Sequence, residues 1–310
     1  MRILFLGTPD FAAVSLRALL DNGYDVCGVF TQPDRPSGRG QRLQAPPVKT
    51  LAVSRGVQIF QPEKLRVEEN RAIVENLNPD IIVTVAYGQL VPAWMLRLSR
   101  FFPVNIHTSL LPRWRGAAPV ARAILTGDAS SGVTTMVMDE SLDAGGILLR
   151  EEVPISLETT TGELTETLAE VGARLLIKTL EGLQSGRLAP TPQDETLVTW
   201  AQKITKAESA VSWDQPAMDI HNRIRALNPW PGTVVDFQGE KICLWRSLPT
   251  DGAENVPPGT LLGVFGNALR VACGGASAVD ILEIQRPGKK RTNGREFASG
   301  ARLKTGDLFY

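Results

Sequence analysis

The stretch from Ile3 to Thr31 constrains the fold most. Ile3-Leu4-Phe5-Leu6 is a short continuous apolar run, the pattern of a strand buried on both faces. Gly7-Thr8-Pro9-Asp10 interrupts it, and Val14, Leu16, Leu19 and Leu20 then mark a helix to about Leu20. Val26–Thr31 reads as a second strand. Strand, helix and strand in that order call for a right-handed crossover and a parallel sheet. Only Gly7 follows the first strand, so the G-x-G-x-x-G dinucleotide turn is absent and a nicotinamide oxidoreductase is not expected.

Further strands are predicted at 57–60, 80–86, 104–107, 132–138 and 147–155, with helices over 68–77, 117–125 and 161–184. Residues 189–209 mix prolines and charges without periodicity and read as a linker. Beyond it, residues 217–227 form a short helix carrying His221, expected at the surface or in packing. Asn228-Pro229-Trp230-Pro231-Gly232 then turns the chain. Five short strands over 233–285 suggest a small barrel. The expected fold class is α/β: a Rossmann-like, mainly parallel sheet domain over 1–188, then a small OB-like β-barrel domain over 210–310.

Candidate chemistry concentrates in Asn105–Gly116, N-I-H-T-S-L-L-P-R-W-R-G. On a strand, Asn105 and His107 share a face. An amide donor beside an imidazole suits carbonyl chemistry, one group polarising the oxygen and the other handling a proton. Ser109-Leu110-Leu111-Pro112 follows as a loop with apolar walls, and Arg113, Arg115 and Gly116 as a basic, flexible exit. In an open α/β sheet ligands bind at the carboxyl ends of strands, so Tyr87-Gly88-Gln89 and Asn105–His107 are expected neighbours of one crevice. Asp139-Glu140-Ser141-Leu142-Asp143 puts three carboxylates on a loop, either a polar turn or a metal site; no histidine or cysteine lies nearby to support a metal.

Cys27, Cys243 and Cys273 are widely spaced, which points to neither zinc nor disulfides. No apolar run reaches membrane-spanning length, and the strand-like residues at Arg2–Leu6 leave no room for a targeting peptide, so a cytoplasmic protein without a membrane partner is expected. Nothing suggests obligate assembly, and a monomer is expected. The formal net charge is zero. Its distribution is uneven: Arg35, Arg39, Arg42 and Lys49 fall within residues 34–49, the arginines in a loop over 32–47, and Arg286, Lys289, Lys290 and Arg291 lie in a C-terminal run. The loop is either merely solvated or in contact with phosphate.

These strings together resemble the formyltransferases that use 10-formyltetrahydrofolate. R-W-R-G-A-A-P at Arg113–Pro119 and the loop P-D-R-P-S-G-R-G are most similar to the methionyl-tRNA formyltransferases. The likeness extends over essentially the whole chain, including N-P-W-P-G and R-P-G-K-K-R. It implies formyl transfer from 10-formyltetrahydrofolate to the α-amino group of initiator Met-tRNA, without a metal. It implies catalytic roles for Asn105, His107 and Asp143, and folate binding by Ser109, Leu110, Leu111, Pro112, Tyr87 and Gly88. It implies tRNA contact by Arg35, Arg39, Arg42, Lys206, Lys289, Lys290 and Arg291. Such families usually carry glycine where Ser141 stands, so a left-handed backbone there would strain the serine. A formyltransferase acting on a UDP-4-amino-sugar shares the Asn/His/Asp set but generally lacks the arginine-rich loop. A non-catalytic RNA-binding protein on a degenerate scaffold is the alternative from another class.

Overall fold

The computed structural model describes residues 1–37, 40, 42–252 and 255–310. Arg39, expected to contact tRNA, therefore lies outside the described residues. In chain order the elements begin β1 (Arg2–Gly7), α1 (Asp10–Asp21), β2 (Asp25–Phe30), β3 (Arg35–Ser37), β4 (Arg42–Gln44), α2 (Pro47–Ser54), β5 (Ile59–Phe60) and α3 (Glu68–Leu77). They continue with β6 (Ile81–Val85), α4 (Ala93–Leu96), β7 (Val104–His107), β8 (Arg115–Gly116), α5 (Pro119–Leu125), β9 (Ser130–Val137), β10 (Ile147–Pro154), α6 (Thr161–Gln184) and β11 (Trp200–Ala201). The remainder is α7 (Ala217–Ala226), β12 (Thr233–Phe237), β13 (Glu240–Asp251), β14 (Leu261–Phe265), β15 (Ala268–Cys273), β16 (Ser277–Gln285), β17 (Thr292–Asn293) and α8 (Gly294–Ala301). Two compact units share the chain: Met1–Gly116, Ser131–Val153 and Thr165–Trp200 in the first, and Ala117–Ser130, Pro154–Leu164 and Ala201–Tyr310 in the second.

The first unit is built on a seven-stranded sheet ordered β10-β9-β7-β6-β1-β2-β5. β1 runs parallel to both β2 and β6, and β6 parallel to β7. Ile3, Leu4, Phe5 and Leu6 are all fully buried, as a central strand requires. Burying each such side chain contributes about 1.5–3 kcal/mol, an upper estimate because unfolded chains already bury some surface. From β1 the chain proceeds outward through β2 and β5, then returns to the other side of β1 with β6 and β7. The order therefore reverses between β1 and β6, the place where open α/β sheets bind ligands. β9 departs from the parallel set and runs antiparallel to β7, pairing Asn105 with Met136 and His107 with Thr134. The predicted structureless loop after β2 instead holds a small hairpin, with Arg35 opposite Gln44 and Ser37 opposite Arg42.

The second unit is the antiparallel β domain: β12-β13-β16-β15-β14, with β17 added on β16. β13 is longer than the short strands expected there, running from Glu240 to Asp251, and its pairing with β16 shifts register around Arg246. Such irregularities bend a strand and re-aim its side chains, which lets one long strand follow a curved core. Ile220 and Ile224 of α7 pack with Val235, Leu244, Leu269, Val271 and Ile281 in that core.

His221 is not a surface residue. It is 1% exposed, its Nε2 donates to the Leu157 carbonyl at 2.8 Å, and its Nδ1 lies 3.1 Å from Ser247 Oγ. Burial pushes its imidazole below the usual value, helped by the nearby Arg225 guanidinium. The folded state therefore binds fewer protons than the unfolded chain as pH falls through about 6.5, and stability falls with it, by at most about 1.4 kcal/mol per pH unit. Glu163 acts lower. The Thr160 backbone N–H, then Arg246, hold its carboxyl down to about 2, so its contribution is present above about pH 4.5 and is lost only as pH falls through about 2. Denaturant unfolding between about pH 7.5 and 5.5 should show declining stability in the native protein and a flatter profile in His221→Gln. An unchanged slope in the variant would show that His221 is not the group responsible.

Candidate active site

Ile106, between the two candidate polar residues of β7, packs toward α6, where Gly172 allows the approach: a Cβ at Gly172 would lie 3.2 Å from Ile106 Cγ2. Alternation then sends Asn105 and His107 to the opposite face together. His107 is 6% exposed, and its Nε2 lies 2.8 Å from the Trp114 carbonyl oxygen. A carbonyl can only accept, so Nε2 carries the hydrogen and donates it. Nδ1 faces Asp143 Oδ1 at 3.6 Å, within ion-pair range but beyond a direct hydrogen bond. The other carboxylate oxygen, Oδ2, accepts from the Gly116 backbone N–H at 2.9 Å. The three residues singled out from sequence thus meet at one end of β7 in part: His107 and Asp143 face each other, and Asn105 shares the strand face of His107. The Asn105 amide has no protein partner among the described residues, which leaves its N–H group free for a ligand.

Asp143 itself takes the left-handed backbone, at φ 52, whereas Ser141 is not among the residues at positive φ. The strain anticipated at Ser141 is therefore absent; the backbone of Ser141 is instead capped by Asp139 Oδ1, which accepts its N–H at 2.9 Å. Asp is among the residues that tolerate this conformation, but it costs energy and persists only where the surroundings impose it.

The expected folate loop is pinned rather than open. Ser109 is 1% exposed and its Oγ donates to the Arg113 carbonyl at 2.7 Å. Thr134, opposite His107, donates through Oγ1 to the Ser109 carbonyl (2.6 Å) and accepts from the Leu111 N–H (3.1 Å). Leu111 is fully buried, and Leu110 lies over the space above Gly132. Of Ser109–Pro112, the side chains of Ser109, Leu110 and Leu111 are thus turned inward, and Pro112 is half-buried. The Tyr87 ring is turned inward as well. It is 2% exposed in a core cluster with Leu4, Leu6, Phe30 and Met95, where burial raises the phenol to about 12. What faces outward at the end of β6 is backbone: Ala86 and Gly88 are exposed, both at positive φ. Thr8 after β1 ties this end down by donating to the Tyr87 carbonyl at 2.8 Å.

Arg115, read as part of a flexible exit, is 3% exposed and forms a two-point pair with Glu195 at 2.7 and 3.1 Å. Its backbone N–H donates to the Thr199 carbonyl at 2.9 Å, and Trp114 N donates to Thr199 Oγ1 at 2.9 Å. Residues 193–199 of the expected linker are therefore bound to the candidate site. Thr134 and Gln193 were missed from sequence because no motif or periodicity marks a polar group whose partners lie far along the chain.

The basic residues are partly neutralised. Arg35 pairs with Glu63 at 2.7 Å and Lys49 with Asp34 at 2.8 Å, while Arg42 is exposed without an ion-pair partner among the described residues. In the second unit Lys206 is exposed in a short 3-10 turn, and Arg291 lies over the Trp245 ring at 4.0 Å and 3.4 Å from Glu283. Lys289 and Lys290 are exposed and carry no carboxylate partner among the described residues. No group of three His, Cys, Asp or Glu among the described residues could hold a metal, and no described helix is long and apolar enough to cross a membrane.

With this geometry established, comparison with known proteins assigns the class. Residues 1–180 match the formyl transferase family and residues 203–302 its C-terminal domain. The chain belongs to the formyl transferase family, whose one-carbon donor is a formyltetrahydrofolate. Among solved structures it is similar in fold to WlaRD, a sugar 3N-formyl transferase, with a TM-score of 0.69 at 17% identity over 94% of this chain and 99% of that one. An N-formyltransferase from Helicobacter canadensis gives 0.68 at 16% identity, over 92% and 98%. HypX from Aquifex aeolicus, solved with tetrahydrofolic acid, gives 0.63 at 19% identity, over all of this chain and 50% of that one.

The Asp143 loop leaves no room for a side chain at Gly145, where a Cβ would lie 1.9 Å from the Val137 carbonyl oxygen. Backbone cannot yield as a flexible side chain does. Gly145→Ala should destabilise the protein by about 1–3 kcal/mol in thermal or denaturant melts and reduce formyl transfer more than folate binding. Unchanged stability would show that the loop relaxes freely away from Val137.

Proposed function

We propose that this enzyme transfers the formyl group of 10-formyltetrahydrofolate to the α-amino group of methionine on initiator tRNA. The observation that carries formyl transfer is the His107–Asp143 pair beside the unpartnered Asn105 amide at the end of β7. An α-amino group with a pKa of about 7.7–8.0 is partly nucleophilic near neutral pH, so no enzyme nucleophile is required. The amine nitrogen forms a bond to the formyl carbon as the bond from that carbon to N10 breaks. The amine loses a proton, and N10 gains one.

In this reading the Asn105 amide donates to the formyl oxygen as negative charge develops there. The sequence also suggested a share of that oxyanion for His107. In the observed arrangement its Nε2 is committed to Trp114, so we assign the ring a different role. Only in its protonated form does the ring attract Asp143, because Nδ1 then carries a second N–H and the imidazolium charge faces Oδ1 at 3.6 Å. Asp143 receives the proton leaving the amine, through water or directly. The exposed Ala86 and Gly88 and the pinned Ser109–Pro112 loop form walls for the folate.

The acceptor is supported by residues rather than by fold. The arginine-rich hairpin with exposed Arg35 and Arg42, and the exposed Lys206, Lys289 and Lys290, suit phosphate contact. We extend the domain reading accordingly, with the first unit as the folate and catalytic domain and the second as a tRNA-binding one. The second reading, an amino-sugar nucleotide acceptor, is favoured by the solved structures, two of which are named as sugar or N-formyltransferases with dTDP or dTDP-3-aminofucose. At 16–17% identity, that likeness carries fold and leaves the acceptor to be measured.

A formylation assay with 10-formyltetrahydrofolate should compare methionyl initiator tRNA with a UDP-4-amino-sugar. Transfer to the tRNA is expected, lowered at least about a hundredfold in Asp143→Ala. Transfer to the sugar alone would overturn the acceptor and keep the site. Salt-sensitive tRNA binding without transfer to either would favour the non-catalytic RNA-binding reading.

A further inference from the structure

Asp143 sits in a left-handed conformation, and its own carbonyl and that of Gly145, two residues on, point to a single group from elsewhere. The Gln193 amide Nε2 donates to the carbonyl oxygens of both Asp143 and Gly145, each at 2.8 Å. Its Oε1 accepts two bonds from the Arg115 guanidinium, from Nε at 3.0 Å and Nη2 at 2.8 Å. This fixes the amide orientation, since a flipped amide would set its N–H groups against guanidinium donors and its oxygen against two carbonyls. Arg115 is in turn held by Glu195, whose carboxyl lies below its usual range because of that guanidinium.

The same segment reaches the other partner. Thr199 accepts from the backbone of Trp114 and Arg115, Trp114 offers its carbonyl to His107 Nε2, and Gly116 N–H binds the Asp143 carboxylate. The carboxylate is thus held at its backbone by Gln193 and at its oxygen by Gly116, while the imidazole is held through Trp114. All these groups belong to the first unit.

We infer that Gln193 is a positioning residue for Asp143: clamped by Arg115 and Glu195, it imposes the backbone bend that sets the carboxylate against His107. This deepens the proposed function and rests on its reading of Asp143 as catalytic. A misplacement of about 1 Å in a reacting group costs about a hundredfold in rate, so releasing the bend should act on turnover rather than on substrate affinity.

The test uses the full chain with 10-formyltetrahydrofolate and whichever of the two acceptors the native enzyme formylates. Gln193→Ala removes both carbonyl bonds; Gln193→Glu keeps an acceptor for Arg115 but sets a carboxylate oxygen against the two carbonyls. Both should lower kcat on the order of tenfold to a hundredfold, leave the folate Kd and acceptor KM within about threefold, and alter the pH profile of kcat. In an Asp143→Ala background the same changes should cost nothing further, because Gln193 acts through Asp143. An additional loss in that background, or a wild-type kcat in either single variant, would overturn the inference. If Gln193→Ala fails to fold, Gln193→Glu carries the test. If Asp143→Ala itself retains native kcat, the proposed function has failed, a result distinct from failure of the Gln193 role alone.

Discussion

The hydrogen bond from His107 Nε2 to the Trp114 carbonyl closes residues 108–114 back onto the strand they leave, and the candidate site depends on it. It fixes which ring nitrogen carries the hydrogen, turns the other toward Asp143, and places Gly116 where its N–H meets the carboxylate. Thr134 fastens the same loop from β9, which lies beside β7 because the chain runs back antiparallel there. The rigid sheet therefore supplies orientation, and the loops supply the partners. Buried polar groups are worth most when satisfied, and here the bonds that satisfy them also aim the chemistry.

The sheet makes this arrangement possible. β1 is apolar on both faces and needs no polar partners beyond its backbone, so specificity gathers at the strand ends, where peptide groups are exposed. The two strands flanking the order reversal end in Gly7 and Val85, and Thr8 bridges the turns that follow by bonding the Tyr87 carbonyl. A folate seated there would meet backbone more than side chains, consistent with Tyr87 and Leu111 being core residues.

Elements whose physics is local were legible in the amino-acid sequence. Ile3–Leu6 announces a doubly buried strand, Glu68–Leu77 a surface helix, and Asn105 with His107 a shared strand face. What escaped was long-range and polar. The 193–199 segment lacks periodicity because its partners are Asp143, Gly145 and Arg115, with separations of 50 and 78 residues at Gln193 as examples. The paired residues Arg35, Pro36, Arg42, Leu43 and Gln44 are exposed, so no apolar alternation marks their strands. The burial of the Tyr87 ring was not legible because its position at a strand end fixes the backbone and not the direction of the side chain. The charge of the C-terminal run was overstated because Glu240 and Glu283, which pair with Arg286 and Arg291, come from other positions in the sheet.

The central claim is that the Asn105 amide acts on the reacting carbonyl rather than on folate binding. Single-turnover formyl transfer by Asn105→Ala, measured beside its folate Kd, tests this most directly. The expected result is a rate lowered about a hundred- to a thousandfold with the Kd nearly unchanged. A weakened Kd with a native single-turnover rate at saturating folate would contradict it, assigning Asn105 to binding instead.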